Sequence, residues 1–225
     1  MDDLIELWRT GLTPAFLGKP DIEINEFLLD FGATLGNQNT ILKEVYWSYL
    51  HGEASYEYRP LIGAPFQFEF NTVQENVLLK RLDKQYLLTE NQFQRYMGLI
   101  DLIFSEVYPL GSVVELDQEK LPGEIKELFK NKRPELLVLL HARRVPSKDD
   151  KNYIDYVASV WPFGLMEDVT PLLINNMLVK RVVSAGLTND EEKQFVNQVL
   201  KRELVAKKQI SIMYTNQDGR WSYEN

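Results

Sequence analysis

Apolar residues recur along this chain with two different periods, and the change from one to the other divides it. Leu4, Ile5, Leu7 and Trp8 fall on one helical face, which predicts a short opening helix. Gly11, Pro14, Gly18 and Pro20 then break the chain. Ile24, Phe27, Leu28 and Phe31 resume a helical period with Glu23, Glu26 and Asp30 toward water, up to breaks expected at Gly32 and Gly36. Ile41, Leu42, Val45, Tyr46, Tyr49 and Leu50 predict a third helix ending near His51 and Gly52. From Tyr56 to Phe70 the pattern changes: Pro60, Gly63 and Pro65 stand among aromatics, and Phe66, Phe68 and Phe70 alternate with Gln67 and Glu69, the mark of a short extended segment with one buried face. Two Thr-x-x-Glu/Gln capping boxes follow, in which the hydroxyl and the carboxyl or amide satisfy the free amides of a helix start. Thr72 with Glu75 predicts a helix through Leu82, and Thr89 with Gln92 predicts one through about Val107. The latter carries Phe93, Tyr96, Met97, Ile100, Ile103, Phe104 and Val107 at three-and-four spacing, a stripe that reads as core rather than as a groove for a partner helix.

After Pro109 the runs become strand-like and follow one another closely enough to pair with their own neighbours. Leu110 to Leu116 reads as a strand, and Leu121, Ile125, Leu128 and Phe129 predict a short crossing helix within Asp117 to Arg133. Glu135 to Val145 holds Leu136 to Leu140 in an unbroken apolar run, which suits a central strand covered on both faces. A polar turn from Pro146 to Lys151 and a return strand from Asn152 to Trp161 make a hairpin, with Ile154, Tyr156, Ala158 and Val160 on the expected core face. Leu172 to Ile174 is a further short strand, and Met177 to Val183 is either a final strand or one helical turn. Thr188 with Glu191 is a third capping box, opening a helix with Phe195, Val196, Val199, Leu200 and Leu204 that ends in Lys201, Arg202, Lys207 and Lys208. In the tail, residues 209–225, the Asp218-Gly219 pair predicts a late hairpin.

These patterns predict an α+β protein: a helical N-terminal region, 1–104, packed on a small, mainly antiparallel β-sheet domain, 105–208, with a C-terminal helix. At 225 residues the chain fits one domain or two small ones, and 44% hydrophobic residues is ordinary for a globular protein. The opening MDDLIELWRT does not resemble a secretory signal, and charges interrupt every apolar run before it could span a bilayer, so a cytoplasmic location is expected. The absence of cysteine excludes disulfides, thiol nucleophiles and cysteine-based zinc sites, in keeping with a reducing compartment. Net charge is −8 and lies mostly in the first half, where residues 1–104 hold 15 Asp/Glu against 8 Lys/Arg. Such a surface repels phosphate backbones and anionic membranes, which argues against nucleic-acid and membrane partners and favours a basic protein surface.

No chemistry-bearing constellation emerges. His51 and His141 stand far apart with no H-x-x-x-H or H-E-x-x-H spacing, so structural roles are expected and no metal site is predicted. Ser112 lies in L-G-S-V-V rather than in the G-x-S-x-G elbow, and no glycine-rich phosphate loop occurs, so no cofactor is predicted. Carboxylate clusters such as Glu23, Glu26 and Asp30, or Asp190, Glu191 and Glu192, read as solvated helix faces, and no catalytic residue is assigned. Two features remain as partner-binding candidates. Trp161, Pro162, Phe163 and Gly164 form an apolar turn that is either a hydrophobic cap on the sheet or an exposed aromatic anchor, and Arg143 and Arg144, beside Lys148 and Lys151, form a basic hairpin tip, most simply a solvated turn.

One resemblance gives these features a context. P-L-G-S-V-V-E-L, then an apolar strand, then Y-I-D-Y-V-A-S-V-W-P-F-G and L-L-I-N-N-M-L-V-K-R-V-V-S-A-G-L-T-N-D-E-E-K-Q-F, is similar to a small domain-of-unknown-function family encoded beside type VII secretion loci of Gram-positive bacteria. The resemblance rests on Pro109, Gly111, Ser112, Val113, Asp155, Tyr156, Pro162, Gly164, Asn175, Val179, Val182, Gly186, Glu191, Glu192 and Phe195, and covers about the second half. It implies a non-enzymatic cytoplasmic accessory factor that binds an LXG-type toxin and keeps it competent for export. The rivals are an immunity protein that silences such a toxin and a small enzyme built on an unrecognised carboxylate pair.

Overall fold

The structure is a computed structural model, and it describes residues 2–20, 22–121, 135–148, 150–167 and 170–215. The protein is α+β and divides into two compact units. Of the described residues, one unit takes 2–105, 201–210 and 214–215, and the other 106–200 and 211–213.

The first unit holds helices α1 (Asp2–Gly11), α2 (Glu26–Gly36), α3 (Asn39–Leu50) and α4 (Glu90–Phe104), with a four-stranded antiparallel meander inserted before α4. Its strands are β1 (Ser55–Tyr58), β2 (Phe66–Asn71), β3 (Asn76–Arg81) and β4 (Lys84–Thr89), in spatial order 1-2-3-4. The extended segment expected over Phe66 to Phe70 is β2, and its three phenylalanines are buried as the alternation requires. The helix expected from Thr72 to Leu82 does not form. Val77 and Leu79 are buried and alternate with Leu78 and Lys80, so β3 pairs with β2 through Val77 opposite Phe70 and Leu79 opposite Phe68. Cross-strand burial of two phenylalanines outweighs a four-residue capping pattern. Thr72 to Glu75 is instead the β2–β3 turn, with Glu75 at φ 49.

The box at Thr89 and Gln92 is real. Thr89 Oγ1 accepts from the Gln92 amide at 3.4 Å, and the Gln92 side chain accepts from the Thr89 amide at 2.8 Å. It opens α4, whose buried Phe93, Tyr96, Met97, Ile100 and Ile103 make it the axis of this unit, in contact with α1, α2 and α3. The expected break at Gly32 is absent, since α2 continues through it, whereas Gly36 is the last residue of the helix, where a break was expected. A Cβ at Gly32 would sit 2.2 Å from the Trp8 ring, and one at Gly36 would sit 2.3 Å from the Phe104 ring. At Gly32 glycine permits close approach of the Trp8 ring instead of ending the helix.

The second unit is a five-stranded antiparallel sheet in order β8-β7-β6-β5-β9. Its strands are β5 (Val113–Leu116), β6 (Leu137–Pro146), β7 (Tyr153–Val160), β8 (Leu172–Ile174) and β9 (Val179–Ser184). The β6–β7 hairpin forms as expected, and β6 is the central strand. Its residues alternate between buried and half-buried instead of being covered on both faces. Met177 to Val183 supplies both alternatives at once, a 3-10 turn at Asn176–Leu178 followed by β9. The core face gathers Val114, Leu116, Val138, Leu140, Tyr156 and Ala158. Tyr156 and Ala158 are on the expected side, but Tyr153, Asp155 and Ser159 on the opposite face of β7 are buried as well.

The helix after β9 begins one residue later than its Thr-x-x-Glu signature. Asn189 is the cap, accepting from the Glu192 amide at 2.8 Å, while Thr188 Oγ1 donates to the Gly186 carbonyl at 3.3 Å. Helix α5 (Asp190–Gln194) is followed by a π-helical stretch, Phe195–Leu200, and by α6 (Lys201–Ala206), which belongs to the first unit. Lys201 does not project from a basic helix end. It is buried, and its Nζ donates to the carbonyls of Ile103 at 2.8 Å and Ser105 at 3.1 Å, a cation on the negative end of α4. The crossing helix expected over Ile125 to Phe129 and the late hairpin about Asp218-Gly219 fall outside the described residues. Among the described residues, no helix is long and apolar enough to cross a membrane, and no group of three or more His, Asp or Glu is placed to hold a metal ion.

Candidate functional site

The second unit presents an apolar turn where β7 leaves the sheet. Pairing with β6 holds β7 to its last residue, since Val160 lies opposite Val138, and the Trp161 amide donates to the Leu137 carbonyl at 2.9 Å. The chain then reverses sharply. The Trp161–Pro162 peptide bond is cis, Gly164 takes φ 74, and the amides of Phe163 and Gly164 donate back to the Val160 carbonyl at 3.0 and 3.2 Å. These bonds tie the backbone of Trp161 to Gly164 to the end of the β6–β7 hairpin. A hydrophobic cap would be buried. Instead Trp161 is 43% exposed, Phe163 62%, Leu165 54% and Met166 55%. Leu165 and Met166 extend the apolar surface beyond the aromatic pair, and the sequence W-P-F-G-L-M marks them only by continuity.

The two candidate arginines do not join this surface. Register runs from Arg143 opposite Tyr156 to Val145 opposite Ile154, and a bulge between Leu140 and Ala142 resets the alternation before it. Arg143 makes a two-pronged ion pair with Glu192 and leans over the Phe195 ring at 5.5 Å. Those bonds from Arg143 hold the Glu192 carboxyl below its ordinary range. Arg144 is buried, its side chain 0% exposed. It pairs with Asp155, lies over the Tyr153 ring at 4.6 Å, and sits in the left-handed region at φ 48. The other oxygen of Asp155 accepts from Ser211 Oγ, and Ser211 bridges to Tyr153. Arg144 therefore stands in the interior of the hairpin, where a solvated tip was expected.

The residues that carry the family resemblance have structural work. Ser112 is buried, donates to the Pro109 carbonyl at 2.7 Å and accepts from the Gly186 amide at 3.0 Å. A Cβ at Gly186 would lie 2.1 Å from the Leu110 carbonyl oxygen, so only glycine fits there. Tyr156 accepts from the Tyr108 amide at 3.1 Å, and Asn175 caps the 3-10 turn by accepting from the Leu178 amide at 3.2 Å. His141 Nε2 lies 2.7 Å from Ser159 Oγ. On β5, Glu115 meets Lys180 at 2.8 Å and Arg181 at 2.6 Å across the strand pair with β9, and Lys180 first, then Arg181, lower its carboxyl. A depression over the meander of the first unit, lined by Glu69, Phe70, Asn71, Gln74, Leu78 and Leu87 among others, holds one carboxylate, Glu69, which is paired with Lys80.

Residues 107–195 match the model of the family described as Domain of unknown function (DUF4176). That span runs from the last residues before β5 to the start of the π-helical stretch and contains the whole five-stranded sheet together with the Trp161 to Met166 turn. No curated protein and no solved structure matches the chain.

Proposed function

We propose that the chain is a non-enzymatic binding protein, a cytoplasmic chaperone or targeting factor for an LXG-type toxin exported by type VII secretion. The observation that carries this reading is the turn from Trp161 to Met166. Trp161 and Phe163, 43% and 62% exposed, stand on a backbone held by three main-chain hydrogen bonds, and Leu165 and Met166, each more than half exposed, follow them. Rigid exposed aromatics contribute contact area at low ordering cost, which is what a protein anchor needs. The structural roles of Ser112, Asp155, Tyr156, Asn175 and Gly186 support the same reading, because the resemblance then rests on a scaffold and leaves the turn as its presented feature.

An immunity protein that silences the toxin's active domain is the second reading, favoured by the net charge of −8, which suits a basic partner surface. Co-expression with the toxin encoded nearest the gene, followed by size-exclusion chromatography and an activity assay on the complex, separates the two. The chaperone reading predicts a stable complex with an active toxin. A silenced toxin in the complex transfers support to immunity, and failure of the two proteins to co-elute contradicts both.

A further inference from the structure

Sulfur is scarce in this chain and unevenly placed. It has no cysteine and five methionines. Met97, Met177 and Met213 are buried at 0%, 2% and 5% exposure, and the Met213 thioether also accepts from the Asn175 side-chain amide at 3.4 Å. Met166 is more than half exposed, and among the described residues it is the one sulfur that solvent reaches freely. Cysteine thiolates are ordinarily the first groups an oxidant meets on a protein surface. With none present, a peroxide that reaches this chain finds a thioether in their place.

The position of Met166 gives that oxidation a consequence. It extends the apolar surface begun by Trp161, Phe163 and Leu165, and a flexible, polarisable thioether is well suited to mould itself against a partner. A sulfoxide is polar where the thioether was apolar. In the free chain its oxygen stays in water, and Met166 lies outside the buried core of its unit, so the fold bears no cost. In a dry protein contact the same oxygen loses its water and needs a donor that an apolar partner surface lacks.

We propose that Met166 is an oxidation site whose modification weakens protein docking at the Trp161 to Met166 turn, an inference that rests on reading this turn as a binding anchor. The step is an oxygen-atom transfer from hydrogen peroxide. A sulfur lone pair attacks one peroxide oxygen, the O–O bond breaks as the S–O bond forms, and both peroxide protons leave in water. The sulfur loses two electrons and the peroxide gains them.

The test treats the full chain with hydrogen peroxide, removes the peroxide, maps the added oxygen by peptide mass spectrometry, and measures affinity for the co-eluting toxin by isothermal titration calorimetry. Met166 is oxidised at least about tenfold faster than Met97, Met177 and Met213, because reactivity follows exposure. The oxidised chain binds about tenfold more weakly or worse, the loss expected for one unpaired polar group in a contact, and its thermal midpoint is unchanged. Met166→Leu binds like the untreated wild type and keeps its affinity after peroxide, which separates this sulfur from any other oxidised group. Met166→Gln, polar and of similar length, binds about tenfold more weakly without peroxide. An untreated wild type that does not bind removes the anchor reading itself and this inference with it. Where the untreated chain binds, equal affinity after oxidation, an equal loss in Met166→Leu, full affinity in Met166→Gln, or earlier oxidation of the buried methionines overturns this inference alone.

Discussion

Removing the Asp155 carboxylate strips a fully buried guanidinium of its counter-charge, and the size of the penalty follows from the burial. The side chains of Arg144 and Asp155 are 0% and 1% exposed, so neither charge can turn to water when the other is lost. Breaking such a pair from one side costs about 3–5 kcal/mol. Asp155→Ala also takes the acceptor from Ser211, which places the expected loss at the upper end of that range. For a chain of this size it corresponds to a fall in thermal midpoint of about 10 °C or more. Arg144→Met keeps the backbone cost at φ 48 the same, because arginine and methionine are equally disfavoured there, so it reports on the side chain alone. Paired with Asp155→Leu, it replaces two charges by apolar groups of similar volume and recovers about 2 kcal/mol or more relative to the summed single losses. Urea unfolding of the wild type, Asp155→Leu, Arg144→Met and the double variant, read by far-ultraviolet circular dichroism, closes the cycle, with Asp155→Ala measured beside them. A loss below about 1 kcal/mol for Asp155→Ala, or a double variant as unstable as the sum of its parts, refutes the reasoning.

Gly32→Ala drives a methyl into the Trp8 ring and costs about 1–3 kcal/mol, with a shift in tryptophan emission as the readout; unchanged stability contradicts the packing described. Lys201→Met leaves the carbonyls of Ile103 and Ser105 without their cation and costs about 1.5–3 kcal/mol by denaturant titration. Glu115 and Glu192 both have lowered carboxyl values in the folded state, so their contribution is complete above the ordinary value of 4.5 and is lost as pH falls toward and through the folded values. A stability profile that falls on acidification below about pH 4.5, and falls less in Glu192→Gln, is the expected result; an identical acid limb in that variant removes Glu192 from the account.

The sequence exposed the parts of this fold that local signals dictate. The Thr89 and Gln92 box, the stripe of α4 and the β6–β7 hairpin each depend on residues within one or two turns of one another, and each forms where its pattern lies. The failures come where a distant partner decides. Thr72 to Glu75 carries a helix-start pattern, yet the sheet neighbours Phe68 and Phe70 make the next six residues a strand. Gly32 looks like a break until Trp8 occupies the space a Cβ would fill. Arg144 reads as a tip residue because the bulge that turns it inward, and the Asp155 and Ser211 that receive it, leave no mark in its own neighbourhood. The aromatic turn was legible from W-P-F-G itself, and its extension through Leu165 and Met166 became visible only with their exposure.

The central claim is that this chain binds a protein through the turn at Trp161 to Met166. Its most direct test is the affinity for the co-eluting toxin of the wild type and of a Trp161→Ser/Phe163→Ser variant, measured by isothermal titration calorimetry with circular dichroism confirming the fold. Loss of two central aromatic anchors predicts an affinity lower by at least about a hundredfold, near 3 kcal/mol, with the thermal midpoint unchanged. An undiminished affinity in a folded variant contradicts the account.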